Sequence, residues 1–173
     1  MKKLLVLPII LASLSSSQAA LVAHYQFDGD ASDSGTSGGT ANLGNAASIT
    51  TDGSAPVGTG HLSLTGAPSP DSTGSDGAVS ANSFDWSSSD VRTVAFWMRA
   101  NAGDIGDTTA TMISLGSGTG TGNRFDIRLT GNNLRLELQG GGFSTTTTVA
   151  DGTWRHLAIV VPNSTSTLGQ VQY

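Results

Sequence analysis

Two stretches decide the fold of this chain: Val91-Arg-Thr-Val-Ala-Phe-Trp-Met-Arg-Ala100 and Asp151-Gly-Thr-Trp-Arg-His-Leu-Ala-Ile-Val-Val161. Each is a β-branched and aromatic run with a tryptophan, and the second opens on an Asp-Gly turn. In the first, Val94, Phe96 and Met98 share one face, while Thr93, Ala95 and Trp97 share the other. Two such well-covered faces predict a central strand. In the second, Leu157, Ile159 and Val161 form the core side.

Between them lies the cleanest alternation of the sequence. Phe125, Ile127 and Leu129 alternate with Arg124, Asp126 and Arg128. After Gly131-Asn132, Leu134, Leu136 and Leu138 alternate with Arg135, Glu137 and Gln139. Period two on both sides of a turn that tolerates positive φ predicts an antiparallel hairpin with one buried and one wet face. Further strands are expected over 21–27, 45–51, 61–65, 78–81, 111–115 and 143–149. Residues 28–44 and 67–77 read as loops, from their Asp, Ser, Gly, Thr and Pro content. No helical period stands out beyond the N-terminus. About ten short strands between turns predict an all-β, two-sheet antiparallel sandwich.

The N-terminus is of another kind. Lys2 and Lys3 precede an apolar run from Leu4 to Leu14, and Ser17-Gln18-Ala19 has the small-x-small pattern of a cleavage site. The run is shorter than the ~20 residues that cross a bilayer. It reads as an export signal over 1–19, cut after Ala19 (Ala20 being the alternative), with one domain over 20–173. The mature part would keep six arginines, no lysine and all 13 acidic residues, a net charge of −7. So acidic a surface argues against nucleic acid and anionic membranes. There is no cysteine. An exported domain without disulfides must be held by its core.

The order of several elements carries a resemblance. Leu62-Ser-Leu-Thr-Gly66, Thr93 to Arg99, Met112-Ile-Ser-Leu-Gly116, Gly131-Asn-Asn-Leu-Arg-Leu136 and Asp151 to Ala158 together resemble the laminin G-like jelly roll of the concanavalin A-like lectin/glucanase superfamily. Tyr25-Gln-Phe-Asp-Gly29 and Ala31-Ser-Asp-Ser34 resemble its opening strand and loop in bacterial members. The resemblance implies a jelly roll with Trp97 and Trp154 on internal strands. It also implies further strands after the Trp154 strand. Gln170 to Tyr173 looks like the start of one, so the sequence is expected to continue.

Catalysis finds little support. Most glycosidases need two carboxylates around the scissile bond, and superfamily glucanases carry a Glu-x-Asp-x-x-Glu strand. This chain has one glutamate, Glu137, with Asp126, Arg124, Arg128 and Arg135 around it; they read as a cross-strand ion-pair network on a solvated face. His24, His61 and His156 lack metal-motif spacing. No Gly-x-Ser-x-Gly elbow occurs, and the glycine-rich runs lack the lysine and helix of a phosphate loop.

Binding is better served. Asp28, Asp30 and Asp33 place three carboxylates within six residues, which is calcium chemistry. The plainer reading is Asx-turn hydrogen bonding. Asp71 with Asp76, and Asp104 with Asp107, are weaker pairs of the same type. Family members often hold calcium at a loop rim, so Ca²⁺ is the one cofactor expected. Trp86, beside Phe84 and Asp85, is the candidate sugar platform. The expectation is an exported, non-catalytic recognition or adhesion domain, secreted, periplasmic or at the cell surface. Its partner would be a glycan or a cell-surface or extracellular protein. The alternatives are an accessory domain of a polysaccharide-degrading enzyme whose catalytic part lies beyond Tyr173, or a surface-anchored structural protein.

Overall fold

The computed structural model describes residues 20–64, 77–82, 92–103, 109–116, 124–138, 140–162 and 171–173. Among them there is no helix, and ten strands follow one another: β1 (Ala41–Leu43), β2 (Ala47–Thr50), β3 (His61–Leu64), β4 (Ala78–Ser80), β5 (Arg92–Met98), β6 (Thr109–Gly116), β7 (Arg124–Thr130), β8 (Asn133–Leu138), β9 (Gly141–Thr148) and β10 (Arg155–Val161). All named pairings are antiparallel. The order β6-β7-β8-β9 makes a four-stranded meander, and β10 with β5, β1 with β4, and β2 with β3 make three two-stranded pairs.

The β7–β8 hairpin forms as the alternation predicts. Phe125 pairs with Leu138, Ile127 with Leu136, and Leu129 with Leu134. Gly131 adopts φ 54° at the first position of the two-residue turn, a conformation that glycine takes without steric cost. Ile127, Leu134 and Leu136 are fully buried and Phe125 nearly so. Each contributes roughly 1.5–3 kcal/mol by leaving water. This apolar face belongs to the same core as Met98, Ile159, Val149 and Ala150, with Val94, Phe96, Leu157 and Val161 at its margin. The core therefore lies between the four-stranded sheet and the inward face of β5–β10, and the described residues form an all-β sandwich.

Two irregularities shape the meander. Its register shifts in β6 between Thr111 and Ile113, and between Asn133 and Arg135 where β8 meets β9. At the second shift the buried Thr145 side chain repairs the ladder: its hydroxyl donates to the Leu134 carbonyl (2.9 Å) and accepts from the Thr147 N–H (3.1 Å). A buried carbonyl left without a donor would cost about 1–3 kcal/mol.

Several expectations need correction. The 21–27 segment is not a regular strand. One bridge, Tyr25 to Asp33, and scattered bonds such as Ser34 N–H to His24 C=O (3.0 Å) and Ser37 N–H to Val22 C=O (2.9 Å) tie it to the chain that follows. The partner winds around the Asp33 carboxylate rather than lying straight, so no ladder can propagate. The 28–44 stretch is not all loop, because β1 pairs with β4 at its end. β5 is covered on one face only: Thr93, Ala95 and Trp97 are exposed. The remaining strand expectations fall close to β2, β3, β4, β6, β9 and β10.

Candidate functional site

The aspartate-rich turn is ordered by its own carboxylates. Asp33 Oδ1 accepts the His24 N–H (2.6 Å) and the Gly35 N–H (2.7 Å), and Asp33 Oδ2 accepts the Gly38 N–H (2.7 Å). These bonds, the one from His24 foremost, hold its carboxyl below the usual aspartate range. Asp30 Oδ1 accepts from the Ser32 hydroxyl (2.5 Å) and the Ser32 N–H (2.9 Å), which is an Asx turn and lowers its carboxyl too. Asp28 looks outward from the turn to another loop: its Oδ1 accepts the Thr59 N–H (2.8 Å) and the Gly60 N–H (3.1 Å). Gly58, at φ +74°, lies so close to that carboxylate that a Cβ there would collide with it.

The three aspartates thus serve three different sets of N–H donors. Among the described residues no group of three or more His, Asp or Glu side chains is arranged to hold a metal ion. Asp28 and Asp30, with Gln26, Gly29 and Ser32, do share a surface hollow of about 210 Å³. Asp33 is not part of it. Trp86, the pairs Asp71/Asp76 and Asp104/Asp107, and the expected export signal over 1–19 lie outside the described residues.

The outward face of β5–β10 carries the tryptophans of the two opening stretches. Trp97 is 44% exposed and is not a core residue. Its ring lies 5.2 Å from that of His156, its register partner on β10. Trp154 is half-buried instead. Its indole meets the edge of His61 from β3 at 5.5 Å and lies under the Arg99 guanidinium at 5.1 Å. The internal position expected from the resemblance fails for Trp97 because period two turns it away from Phe96 and Met98, and no described residue caps it. Beside the pair, Arg155 grips Asp151 and depresses its carboxyl.

The third polar surface is the outward face of the four-stranded sheet. The expected ion-pair network is there, but it is less solvated than the alternation implies. Asp126 is only 3% exposed, and the Glu137 side chain 18%. Glu137 lies within ion-pair distance of Arg124 (3.4 Å), Arg128 (3.0 Å) and Arg135 (3.1 Å). Burial works against its charge, but the arginines win and its carboxyl is lowered. A carboxyl kept ionised by three guanidiniums is a poor proton donor. Sequence reasoning named these residues; it did not see that they would shield one another.

The described residues thus form an antiparallel all-β sandwich with polar loops. A laminin G-type family model, of the concanavalin A-like lectin/glucanases superfamily, matches residues 73–169, more than half of the chain. The chain belongs to that superfamily. No curated protein and no solved structure gives a match.

Proposed function

We propose that this chain is an exported, non-catalytic recognition domain that binds a glycan, or an extracellular protein bearing one, through polar surfaces already set in place. The fold supports the coarser part of this reading, since laminin G-like sandwiches are commonly binding domains for glycans or proteins. The observation that carries the rest is the commitment of the carboxylates. Glu137 is held by three arginines, and Asp28, Asp30 and Asp33 by backbone N–H groups. A surface whose polar groups are locked before the ligand arrives loses little freedom on binding.

Calcium enters this reading only through the hollow. Asp28 and Asp30 are the two carboxylates that line it; each accepts N–H bonds through Oδ1. Asp33, with both oxygens bonded to N–H groups, would keep its place in the turn. Export rests on the basic, apolar and small-residue order of residues 1–19. Intact-mass measurement of protein recovered outside the cell should give a chain beginning at Ala20; a secreted product that keeps Met1 would refute cleavage.

A glycan array probed with the purified domain, with and without chelator, tests the recognition reading. Retention of specific glycans supports it. Loss of that retention on chelation assigns calcium a part, and unchanged retention removes calcium from the reading. Absence of retention on every glycan and on deglycosylated and native extracellular protein alike would overturn it.

A further inference from the structure

The register of β7 on β8 sets like charges against each other. Asp126 is opposite Glu137, and Arg128 is opposite Arg135. Either pair alone is repulsive. The face holds together because attraction runs diagonally. Arg124 and Arg128 reach across from β7 to Glu137, and Arg135 reaches it along β8. Asp126 is taken separately. The Ser114 hydroxyl donates to its Oδ1 (2.7 Å), and Arg124 Nε lies 2.7 Å from its Oδ2, though without hydrogen-bond alignment.

Donors exceed acceptors in this cluster. Three guanidiniums share two carboxylates, which leaves one positive charge on a chain whose net charge is −5. Arg128 Nε is buried without a partner. Half of the six arginines of the chain are gathered here.

The flanking strands keep the cluster open. On β6 its register neighbours are Gly116, Ser114 and Thr111, and on β9 they are Gly142 and Ser144. All five are exposed. None has a side chain long enough to lie over a guanidinium. Arg135 itself leans across Gly142 and donates to the Ser144 hydroxyl (2.9 Å). Among the described residues, the result is a shallow trough with a cationic floor and low walls.

We infer that this trough binds an acidic saccharide through its carboxylate or sulfate oxygens, which the guanidiniums of Arg124, Arg128 and Arg135 receive. Guanidinium forks match such oxyanions better than any other side chain. The capture of Glu137 shows these arginines already gathered around one carboxylate. The low walls suit a ring lying along the sheet. The inference rests on the recognition reading and names its ligand class.

Calorimetric titration of the purified chain with a uronic-acid trimer, a sulfated trisaccharide and a neutral trisaccharide tests it. One of the two acidic probes should bind at least about tenfold more tightly than the neutral one at low ionic strength, and high salt should shrink the difference. Whichever acidic probe binds identifies the oxyanion. Arg128→Gln should weaken that binding about tenfold or more through the lost charge-assisted bonds. Ser144→Glu adds a negative charge on the exposed flank and keeps all three arginines, so it should weaken binding even if Arg128→Gln folds poorly. Neutral and acidic probes binding alike, or acidic binding untouched by Ser144→Glu in a folded protein, would overturn the trough and leave recognition standing. No binding to any saccharide would overturn both.

Discussion

The meander β6–β9 and the N-terminal segment from Ala20 to Leu64 are ordered by different means. The meander is held by long strand ladders, interrupted at two register shifts, over an apolar core. Phe125, Ile127, Leu134 and Leu136 are all at 2% exposure or less. The N-terminal segment has strands of three or four residues, and its buried apolar residues there are two alanines, Ala31 and Ala41. Its order comes from side chains that accept backbone N–H bonds: Asp28, Asp30, Asp33 and Asp52. Apolar burial is non-directional and cooperative, whereas a carboxylate can order only the few residues whose N–H groups it reaches. The contrast predicts two different stabilities within one chain.

The largest effect should come from Leu136→Ala. A leucine at 0% exposure leaves a cavity that the surrounding strands fill only in part, at a cost of roughly 2–5 kcal/mol. Chemical denaturation followed by circular dichroism should show the loss. A change below ~1 kcal/mol would mean that the meander is not the cooperative core.

Glu137→Gln comes next. It leaves three guanidiniums without their shared anion. The cost should be about 2 kcal/mol, below the value for a fully buried pair because the arginines are partly exposed. The same melt measures it, and double substitution with Arg128→Gln should recover part of the loss. An additive double mutant would deny that the two side chains are coupled.

Acid should separate the two regions without any substitution. The carboxyls of Asp30, Asp33 and Asp52 are all lowered, chiefly by the hydrogen bonds they accept. Their stabilisation is complete above the ordinary aspartate value of 3.8 and is lost as pH falls through the lowered folded values. Glu137 behaves in the same sense from its ordinary 4.5. The meander, however, keeps its apolar core when that carboxylate is protonated. Hydrogen exchange after incubation across this acidic range should therefore show residues 21–60 opening first. Simultaneous opening of both regions would erase the distinction.

Asp33→Asn should have the smallest global effect and the most local one. An amide oxygen can still accept one or two N–H bonds, but its NH₂ end cannot accept the Gly38 N–H that Oδ2 now holds. Proteolysis should speed up between residues 21 and 39, with little change in the melting of the whole. A general loss of cooperativity would make the N-terminal segment part of the core.

The two regions also differ in how well the sequence announces them. Period two between Phe125 and Leu138 has one solution, because a slip by one residue would expose every large apolar side chain. In the 21–44 stretch, alternation around Tyr25 and Phe27 suggested a strand. The chain instead takes φ 56° at Phe27 and wraps Asp33. Such a choice depends on which N–H groups a carboxylate finds in space. The same holds for the site. That Asp28, Asp30 and Asp33 would act as turn acceptors was one of two readings of their spacing. That Asp28 would reach Thr59, thirty-one residues away, was not readable at all.

The sequence alone determined the all-β class, most strand positions and the charged partners of Glu137, since these follow from local alternation and residue chemistry. Tertiary structure alone decided which faces are covered. It left Trp97 in the open and placed Trp154 between His61 and Arg99, and it buried Asp126 in an arginine-lined face. The reason is that alternation says which residues share a side of a strand, while only the packing of other elements says what that side meets.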